Sequence, residues 1–436
     1  MENIRIKGFA LILSFLLLPV LASTQTHATS PAKNVKKKTT AHKASSSRSK
    51  AGAASRKSVA AKKPAATHTT TVHRLTARAA TGVAVKRAVR TSTGSAAARR
   101  PRVPWKEVID RASKGNSEEG DDLNGEDPAV RAAAVEALGS LNGSVVVSDP
   151  KSGRILSIVN QRLAFSSGEQ PCSTIKLPVA LAALSEGLIN RDTQVHLNRR
   201  LSMNLVEAIA HSNNPFFENL GSRMGFEKVE QYETQFGFGE LAGYHIPQEQ
   251  LGTLPPQPPA YGGVARMSSF GMEVSVTPLQ LAAFVSAIGN GGTLYYMQRP
   301  LTPEDQEAFQ PVVKRHLDVL PLLSDLRAGM EAAVDHGTAR RAQNPFDTVY
   351  GKTGTCSHNG NHLGWFASFS GSNDPHLAVV VLLRGGRYVS GPHAAEVAGK
   401  VYRNLYEHNY VSADKGITIT GGEVGVADVK SVPFVP

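Results

Sequence analysis

The chain has 436 residues, of which 41% are hydrophobic, and a formal net charge of +12 at pH 7. Residues 31–104 contain 19 Lys and Arg and no Asp or Glu, so the rest of the chain carries a formal charge of −7. The positive charge belongs to one segment, which argues against a folded nucleic-acid-binding enzyme and predicts no nucleic-acid partner.

The first 22 residues have the pattern of an export signal. Arg5 and Lys7 precede an apolar run from Phe9 to Ala22. The run is shorter than the about 18 to 20 apolar residues that a membrane span needs. We therefore predict that residues 1–22 are a signal peptide, with an inner-membrane anchor as the alternative. Either assignment places the protein in the periplasm or cell envelope.

Residues 23–104 are predicted to be a basic, disordered linker. The segment is rich in Ala, Ser, Thr, Lys and Arg and has few large apolar side chains, so it cannot bury a core. Its charge would attract it to anionic wall polymers or to a membrane surface. A solvated spacer with no partner is the alternative.

Residues 105–410 show the patterns of a folded domain, beginning with a helix over Ala129–Leu138. Two β-branched runs, residues 144–148 and 154–159, flank a turn-forming segment and predict a β-hairpin. A mostly helical stretch follows from about residue 173 to 237.

The second half of this region returns to strands after one more helix. Thr277-Pro278 opens that helix, which ends near Gly289–Gly292. Three strands and a closing helix follow, at residues 349–355, 363–370, 378–384 and 394–408. Strands at both ends, with helices between them, predict an α+β fold.

Ser173 and Lys176 have the spacing of a nucleophilic serine and its base, because residues three apart share one face of a helix. The same spacing at Ser30, Ser47 and Ser148 falls in the basic linker or a turn, whereas Ser173 opens an apolar helix. The helix dipole and burial should lower the pKa of Lys176 and leave neutral amine to act as the base. The alternative is an N-cap serine followed by an exposed lysine.

Two further motifs follow along the chain. Ser212-Asn213-Asn214 supplies a hydroxyl and an amide between two predicted helices, although capping residues would have the same sequence. Lys352-Thr353-Gly354 occurs once, on a predicted strand, and its alternative is an edge strand with a glycine kink.

In this order the three motifs form the triplet typical of penicillin-binding proteins and β-lactamases. From about Leu138 to Glu407 the chain resembles the transpeptidase domain of high-molecular-weight penicillin-binding proteins. The resemblance implies an antiparallel sheet flanked by helices with an inserted helical subdomain. We place the domain at residues 105–410 and treat residues 411–436 as a C-terminal tail.

The resemblance also implies an activity, that of a D,D-transpeptidase acting on D-alanyl-D-alanine stem peptides of peptidoglycan. β-Lactams would be its covalent inhibitors. Ser173 would be the nucleophile, Lys176 its base, Ser212 a proton relay, and Lys352 the residue that holds the polar network.

The other motif residues are expected to bind substrate. Asn214 would bond the substrate amide, and Thr353 and Thr355, with Gly354 between them, would meet its terminal carboxylate. Backbone N–H groups of Ser173 and Thr355 would form the oxyanion hole.

The two cysteines, Cys172 and Cys356, occupy positions that face each other in this family. Carbapenem-hydrolysing class A β-lactamases resemble the chain here, since they carry a disulfide at the two equivalent positions. We predict a Cys172–Cys356 disulfide, as export also favours, with two free thiols as the alternative.

No cofactor or metal is predicted, because the chemistry needs neither. His358 and His362 are four apart, but a solvated loop explains them more simply.

Three other functions remain open from the sequence. A D,D-carboxypeptidase uses the same motifs with water as acceptor. A serine β-lactamase is disfavoured because the chain has no Glu-x-x-Asn, the motif that supplies the deacylating Glu of class A enzymes. A β-lactam-sensing or wall-binding module would acylate once and stop.

Overall fold

The computed structural model describes residues 116–412 and 416–417. The predicted signal peptide, the basic linker and nearly all of the C-terminal tail lie outside the described residues, and so does the start of the predicted domain at residue 105.

The helices of the described residues are, in chain order, α1 Pro128–Leu138, α2 Gln161–Ala164, α3 Lys176–Ser185, α4 Leu205–Ala210, α5 Asn214–Met224, α6 Phe226–Gln235, α7 Gly263–Phe270, α8 Pro278–Asn290, α9 Pro303–Glu307, α10 Leu323–Asp335 and α11 Gly391–Glu407. Short 3₁₀ turns occupy Cys172–Ile175, Leu320–Leu322 and Arg340–Ala342. The strands are β1 Gly143–Ser148, β2 Ile155–Val159, β3 Val195–Asn198, β4 Leu201–Met203, β5 Thr293–Tyr295, β6 Val313–His316, β7 Val349–His358, β8 Asn361–Ser370, β9 Ala378–Gly385, β10 Val411–Ser412 and β11 Gly416–Ile417.

Five strands form one antiparallel sheet in the order β2-β1-β9-β8-β7. The N-terminal hairpin β1–β2 pairs with β9 from the C-terminal half, with Val146 opposite Val380. β7 is one of the two edge strands, and its Lys352 lies opposite Ala367 of β8. The predicted α+β fold with an antiparallel sheet is therefore confirmed.

Helices cover both faces of this sheet, which is why β1 is buried along its whole length. Val145 and Val147 point to the face covered by α1 and α11, whereas Val146 points to the face covered by α3 and α8. Alternating side chains therefore serve two cores.

The predicted helix boundaries follow from capping residues. α8 begins with a capping box, in which the Thr277 hydroxyl accepts from the Gln280 N–H at 3.1 Å and the Gln280 side chain accepts from the Thr277 N–H at 2.9 Å. It ends at Gly291, whose φ of 95° suits glycine.

The inserted helical region between β2 and β7 contains α2 to α10. The predicted helical stretch from residue 173 to 237 is interrupted by the short hairpin β3–β4, which the sequence analysis missed. Within the described residues, no helix has both the length and the apolar composition that a bilayer span requires.

Candidate active site

Ser173 lies in the 3₁₀ turn that leads into α3, and Lys176 is the first residue of that helix. Cys172, directly before Ser173, has a φ of 52°, in the left-handed region that non-glycine residues rarely adopt. Cys172 is the first residue of the 3₁₀ turn, and the α-helix begins three residues after Ser173, at Lys176. Ser173 therefore precedes the α-helix that it was predicted to open. Strained backbone of this kind is concentrated at functional sites.

The Lys176 amine contacts Ser173, Ser212 and Asn214. Nζ lies 3.0 Å from Ser173 Oγ and 3.1 Å from Ser212 Oγ. It donates to the Ser212 carbonyl oxygen at 2.8 Å and to Asn214 Oδ1 at 2.5 Å. The two carbonyl oxygens can only accept, and together they use both N–H groups of a neutral amine. The lone pair then faces the hydroxyls.

Burial favours this neutral form. The Lys176 side chain is 0% exposed, and desolvation lowers its pKa to about 7, against a smaller opposing effect of the Glu218 charge. The lysine is therefore partly uncharged near neutral pH. The predicted cause, burial, is present, and the amine can accept the Ser173 proton.

Lys352 approaches Ser212 from the edge strand β7. Its Nζ lies 2.8 Å from Ser212 Oγ and donates to the Thr353 carbonyl oxygen at 3.0 Å. The side chain is 0% exposed, and burial, followed by the nearby Lys176 charge, moves its pKa well below the usual value. The Ser212 hydroxyl thus lies between two amines and can pass a proton between them and a bound molecule.

The Ser212 turn joins α4 to α5, and its central serine has a φ of 54°. Asn213 caps α5, because its side chain accepts from the Phe216 N–H at 2.9 Å. The capping alternative for Ser212 and Asn214 is wrong, since Asn213 takes that place. The side chains of Ser212 and Asn214, on either side of Asn213, face Lys176 instead.

β7 passes so close to the Ser173 turn that any side chain at residue 354 would force the two apart. A Cβ at Gly354 would lie 2.9 Å from the Pro171 carbonyl oxygen and 3.3 Å from the Cys172 Cβ. Thr353 is only 4% exposed, whereas Thr355 is exposed on the strand surface. The Thr355 hydroxyl accepts from the Gly391 N–H at 2.8 Å and keeps its own proton free to donate.

Cys172 and Cys356 are joined by a disulfide, with a Cα–Cα separation of 5.5 Å. The bond links the residue before Ser173 to the residue after Thr355, and it spans 184 positions of sequence. The turn and the strand that frame the site are therefore connected covalently.

The sequence analysis gave no role to several residues that contact this site. Thr338 lies with its hydroxyl 2.6 Å from the Thr353 hydroxyl, and the Phe217 ring centroid is 5.6 Å from Lys176 Nζ. Trp365 holds the segment that leads into the Ser173 turn, since its indole N–H donates to the Gln170 carbonyl oxygen at 2.9 Å. Thr338 and Trp365 lie in two short segments, Gly337-Thr338-Ala339 and Trp365-Phe366, that also resemble the penicillin-binding protein family, and this resemblance was the signal that could have found them.

His358 and His362 have separate polar partners. His358 Nδ1 lies 3.1 Å from Glu169, and His362 Nδ1 lies 3.1 Å from the Ser357 hydroxyl. The His358 contact ties the β7–β8 hairpin to the segment that precedes Ser173, whereas the His362 contact lies within the hairpin.

A family model described as the penicillin-binding protein transpeptidase domain matches residues 143–404. Stage V sporulation protein D of Bacillus subtilis is 31% identical over 310 residues, which are 59% of this chain and 48% of that protein. The peptidoglycan D,D-transpeptidase MrdA of Acinetobacter baumannii is 24% identical over 362 residues, with coverage of 63% and 52%. The chain spans about half the length of these curated relatives.

Two solved structures share the fold at 20% identity. The transpeptidase domain of Burkholderia pseudomallei penicillin-binding protein 3 superposes with a TM-score of 0.58 and covers 67% of this chain and 97% of that one. The D,D-transpeptidase domain of a peptidoglycan glycosyltransferase from Eggerthella lenta gives 0.55, with coverage of 64% and 81%.

Proposed function

The chain belongs to the penicillin-binding protein transpeptidase family, and on that premise we propose that it is a serine D,D-transpeptidase acting on D-alanyl-D-alanine stem peptides of peptidoglycan. The observation that carries the proposal is the buried Lys176 amine, which lies within hydrogen-bond distance of both the Ser173 and the Ser212 hydroxyls. A base in contact with a nucleophile and a second hydroxyl is what acyl transfer needs.

In the acylation step, Ser173 Oγ attacks the carbonyl carbon of the penultimate D-alanine. The neutral Lys176 amine takes the serine proton as the Oγ–C bond forms. The tetrahedral intermediate then breaks its C–N bond, and the terminal D-alanine leaves as an amine. The product of this half-reaction is an ester between Ser173 and the stem peptide.

Ser212 supplies the proton that the leaving amine requires. Its hydroxyl lies within 3.1 Å of Lys176 and 2.8 Å of Lys352, so a proton gained by Lys176 can pass through Ser212 to the departing nitrogen. In the second half-reaction an acceptor amine attacks the ester carbonyl carbon, the Ser173 Oγ–C bond breaks as the new C–N bond forms, and the proton lost by the amine returns to Ser173 Oγ by the same route.

The groove beside β7 is proposed to bind the substrate. Asn214 would contact the substrate amide, and the exposed Thr355, with Thr353 and Gly354 behind it, would meet the terminal carboxylate. Backbone N–H groups of Ser173 and Thr355 would stabilise the oxyanion, where one donor is typically worth about 100- to 1,000-fold in rate.

We also propose that the enzyme acts in the periplasm or cell envelope. Its substrate lies there, the first 22 residues have the pattern of an export signal, and the Cys172–Cys356 bond suits an oxidising compartment. Residues 31–104 are proposed to contact anionic wall polymers or a membrane surface through their 19 basic side chains.

The experiment is to incubate the full chain with a D-alanyl-D-alanine stem pentapeptide and an acceptor amine, and to separate the products. We expect released D-alanine together with the amide-linked product. Release of D-alanine with hydrolysed peptide as the only other product would identify a carboxypeptidase. In a separate incubation, sustained hydrolysis of a cephalosporin would identify a β-lactamase. Equal D-alanine release by Ser173→Ala would contradict the mechanism.

A further inference from the structure

Three side chains that commonly bind metals lie together beside the active site, outside its hydrogen-bond network. Glu207, His211 and His336 present one donor atom each, all within 4.8 Å of one another. His211 Nε2 lies 3.1 Å from one Glu207 carboxylate oxygen, and His336 Nε2 lies 3.8 Å from the other. Among residues 116–412 this is the one group of its kind.

Helix geometry brings two of the three together. Glu207 lies on α4, and His211 is the first residue after that helix ends. Because the two residues are four apart, their side chains occupy the same face. His336 comes from a different element, since it is the residue at which α10 ends. The cluster therefore bridges the carboxyl ends of two helices.

Close helix packing fixes the third ligand opposite the first two. A Cβ at Gly329 of α10 would lie 2.7 Å from Ile209 of α4, and one at Gly337 would lie 2.2 Å from the Ala210 carbonyl oxygen. The Thr338 N–H donates to that same carbonyl at 3.0 Å. Glycine at both positions lets α4 and α10 pack closely. The hydrogen bond from Thr338 to Ala210 stabilises this packing two residues after His336.

We propose that Glu207, His211 and His336 form a binding site for a divalent transition metal, with Zn²⁺ as the ion that suits two imidazoles and a carboxylate. Zinc binds these groups at about 2.0 to 2.2 Å, so tetrahedral ligand atoms are separated by about 3.3 Å. The observed separations of 3.1 and 3.8 Å run to different Glu207 oxygens, and all three ligand atoms lie within 4.8 Å of one another, so side-chain rotation would draw the two imidazoles together around an ion. Water takes the fourth position.

The site is open to solvent, because the three side chains are 46%, 50% and 54% exposed. A metal can therefore enter and leave without unfolding the protein. Chelators remove an ion from such a site, which makes its occupancy depend on the free metal concentration around the protein.

Bound metal would join two segments that shape the active site. His211 directly precedes Ser212, and His336 lies two residues before Thr338, whose hydroxyl is 2.6 Å from that of Thr353. A metal would thus tie the turn that carries Ser212 to the segment that supports β7. Binding does not require acylation, so the inference stands apart from the proposed function.

The test is calorimetric titration of Zn²⁺ into the full, chelator-treated chain. Wild type should bind one zinc ion more than His336→Ala, or bind it at least about tenfold more tightly. Glu207→Gln should show the same loss, which guards against a folding defect in one variant. Histidines elsewhere are the same in all of these proteins, so the difference reports on the cluster.

His196→Ala supplies the matched control, because His196 is an exposed histidine on β3. It should bind zinc as wild type does, and so should Ser173→Ala, which loses only the proposed nucleophile. Zinc should also raise the melting temperature of wild type and not that of His336→Ala. Equal zinc stoichiometry and affinity in wild type, His336→Ala and Glu207→Gln would overturn the site.

Discussion

Lys176 Nζ lies 3.0 Å from the Ser173 hydroxyl, and the lysine side chain is fully buried. Burial disfavours the charged amine, which is why the pKa of Lys176 is lowered from 10.5 to about 7. In the proposed mechanism the pair therefore sets the pH at which the serine can be activated.

The first prediction is a pH profile. Only the neutral amine accepts a proton, and its fraction rises as pH passes upward through the folded-state pKa of about 7. The rate of acylation by a fluorescent penicillin should increase across that pH and level off above it. Lys176→Ala should fold but acylate slowly at every pH. A rate that is flat between about pH 6 and about pH 8 would show that another group is the base.

The second prediction concerns Lys352, whose Nζ is 2.8 Å from Ser212 Oγ. Lys352→Met keeps the length of the side chain and removes the amine. Acylation should slow by about 100- to 10,000-fold, the usual range for a group that assists proton transfer. The melting temperature should hold or rise, since a buried polar group is replaced by an apolar one. An unchanged acylation rate would remove Lys352 from the network.

The third prediction tests the close approach at Gly354. Gly354→Ala places a Cβ 2.9 Å from the Pro171 carbonyl oxygen, so β7 and the Ser173 turn must move apart. We expect a loss of about 1 to 3 kcal/mol in the free energy of unfolding, together with slower acylation.

Gly187→Ala is the control for this substitution. Gly187 has a φ of 64° and open space around it, so alanine there strains the backbone by about 1 to 2 kcal/mol without touching the site. Its acylation rate should match wild type. Normal acylation by Gly354→Ala would mean that the approach does not matter for the chemistry.

The fourth prediction is that reduction of the Cys172–Cys356 disulfide lowers the melting temperature. The bond closes a loop with a sequence separation of 184, which is worth about 5 kcal/mol in the chain-entropy model. Acylation should slow as well, because the bond holds the Ser173 turn against β7. Cys172→Ser with Cys356→Ser should behave as reduced wild type does. Mass spectrometry that finds both thiols free in protein isolated without reductant would contradict the pairing.

Much of the fold was predictable because its elements carry local signals. The β1–β2 hairpin, the sheet strands β7 to β9 and the helix α8 have β-branched runs, turn residues or a capping box that act within a few residues. The β3–β4 hairpin was missed because Val195–Asn198 and Leu201–Met203 are short and mostly exposed, so no apolar alternation marks them.

The active site, too, was predictable only where its residues stand in local motifs. Ser173, Lys176 and Lys352 stand in motifs, and sequence alone indicated them. The role of Asn213 as the cap of α5 was hidden, because three adjacent polar residues can each cap a helix and only the backbone shows which one does. The Glu207, His211 and His336 cluster was missed because 125 positions separate its second and third members, and glycine-mediated helix packing brings them together.

The central claim is that Ser173 forms the acyl-enzyme. The most direct measurement is peptide mass spectrometry of the full chain after brief incubation with penicillin. We expect one penicilloyl adduct on Ser173 in wild type and none in Ser173→Ala. An adduct on another residue, or labelling of Ser173→Ala to the wild-type extent, would contradict it.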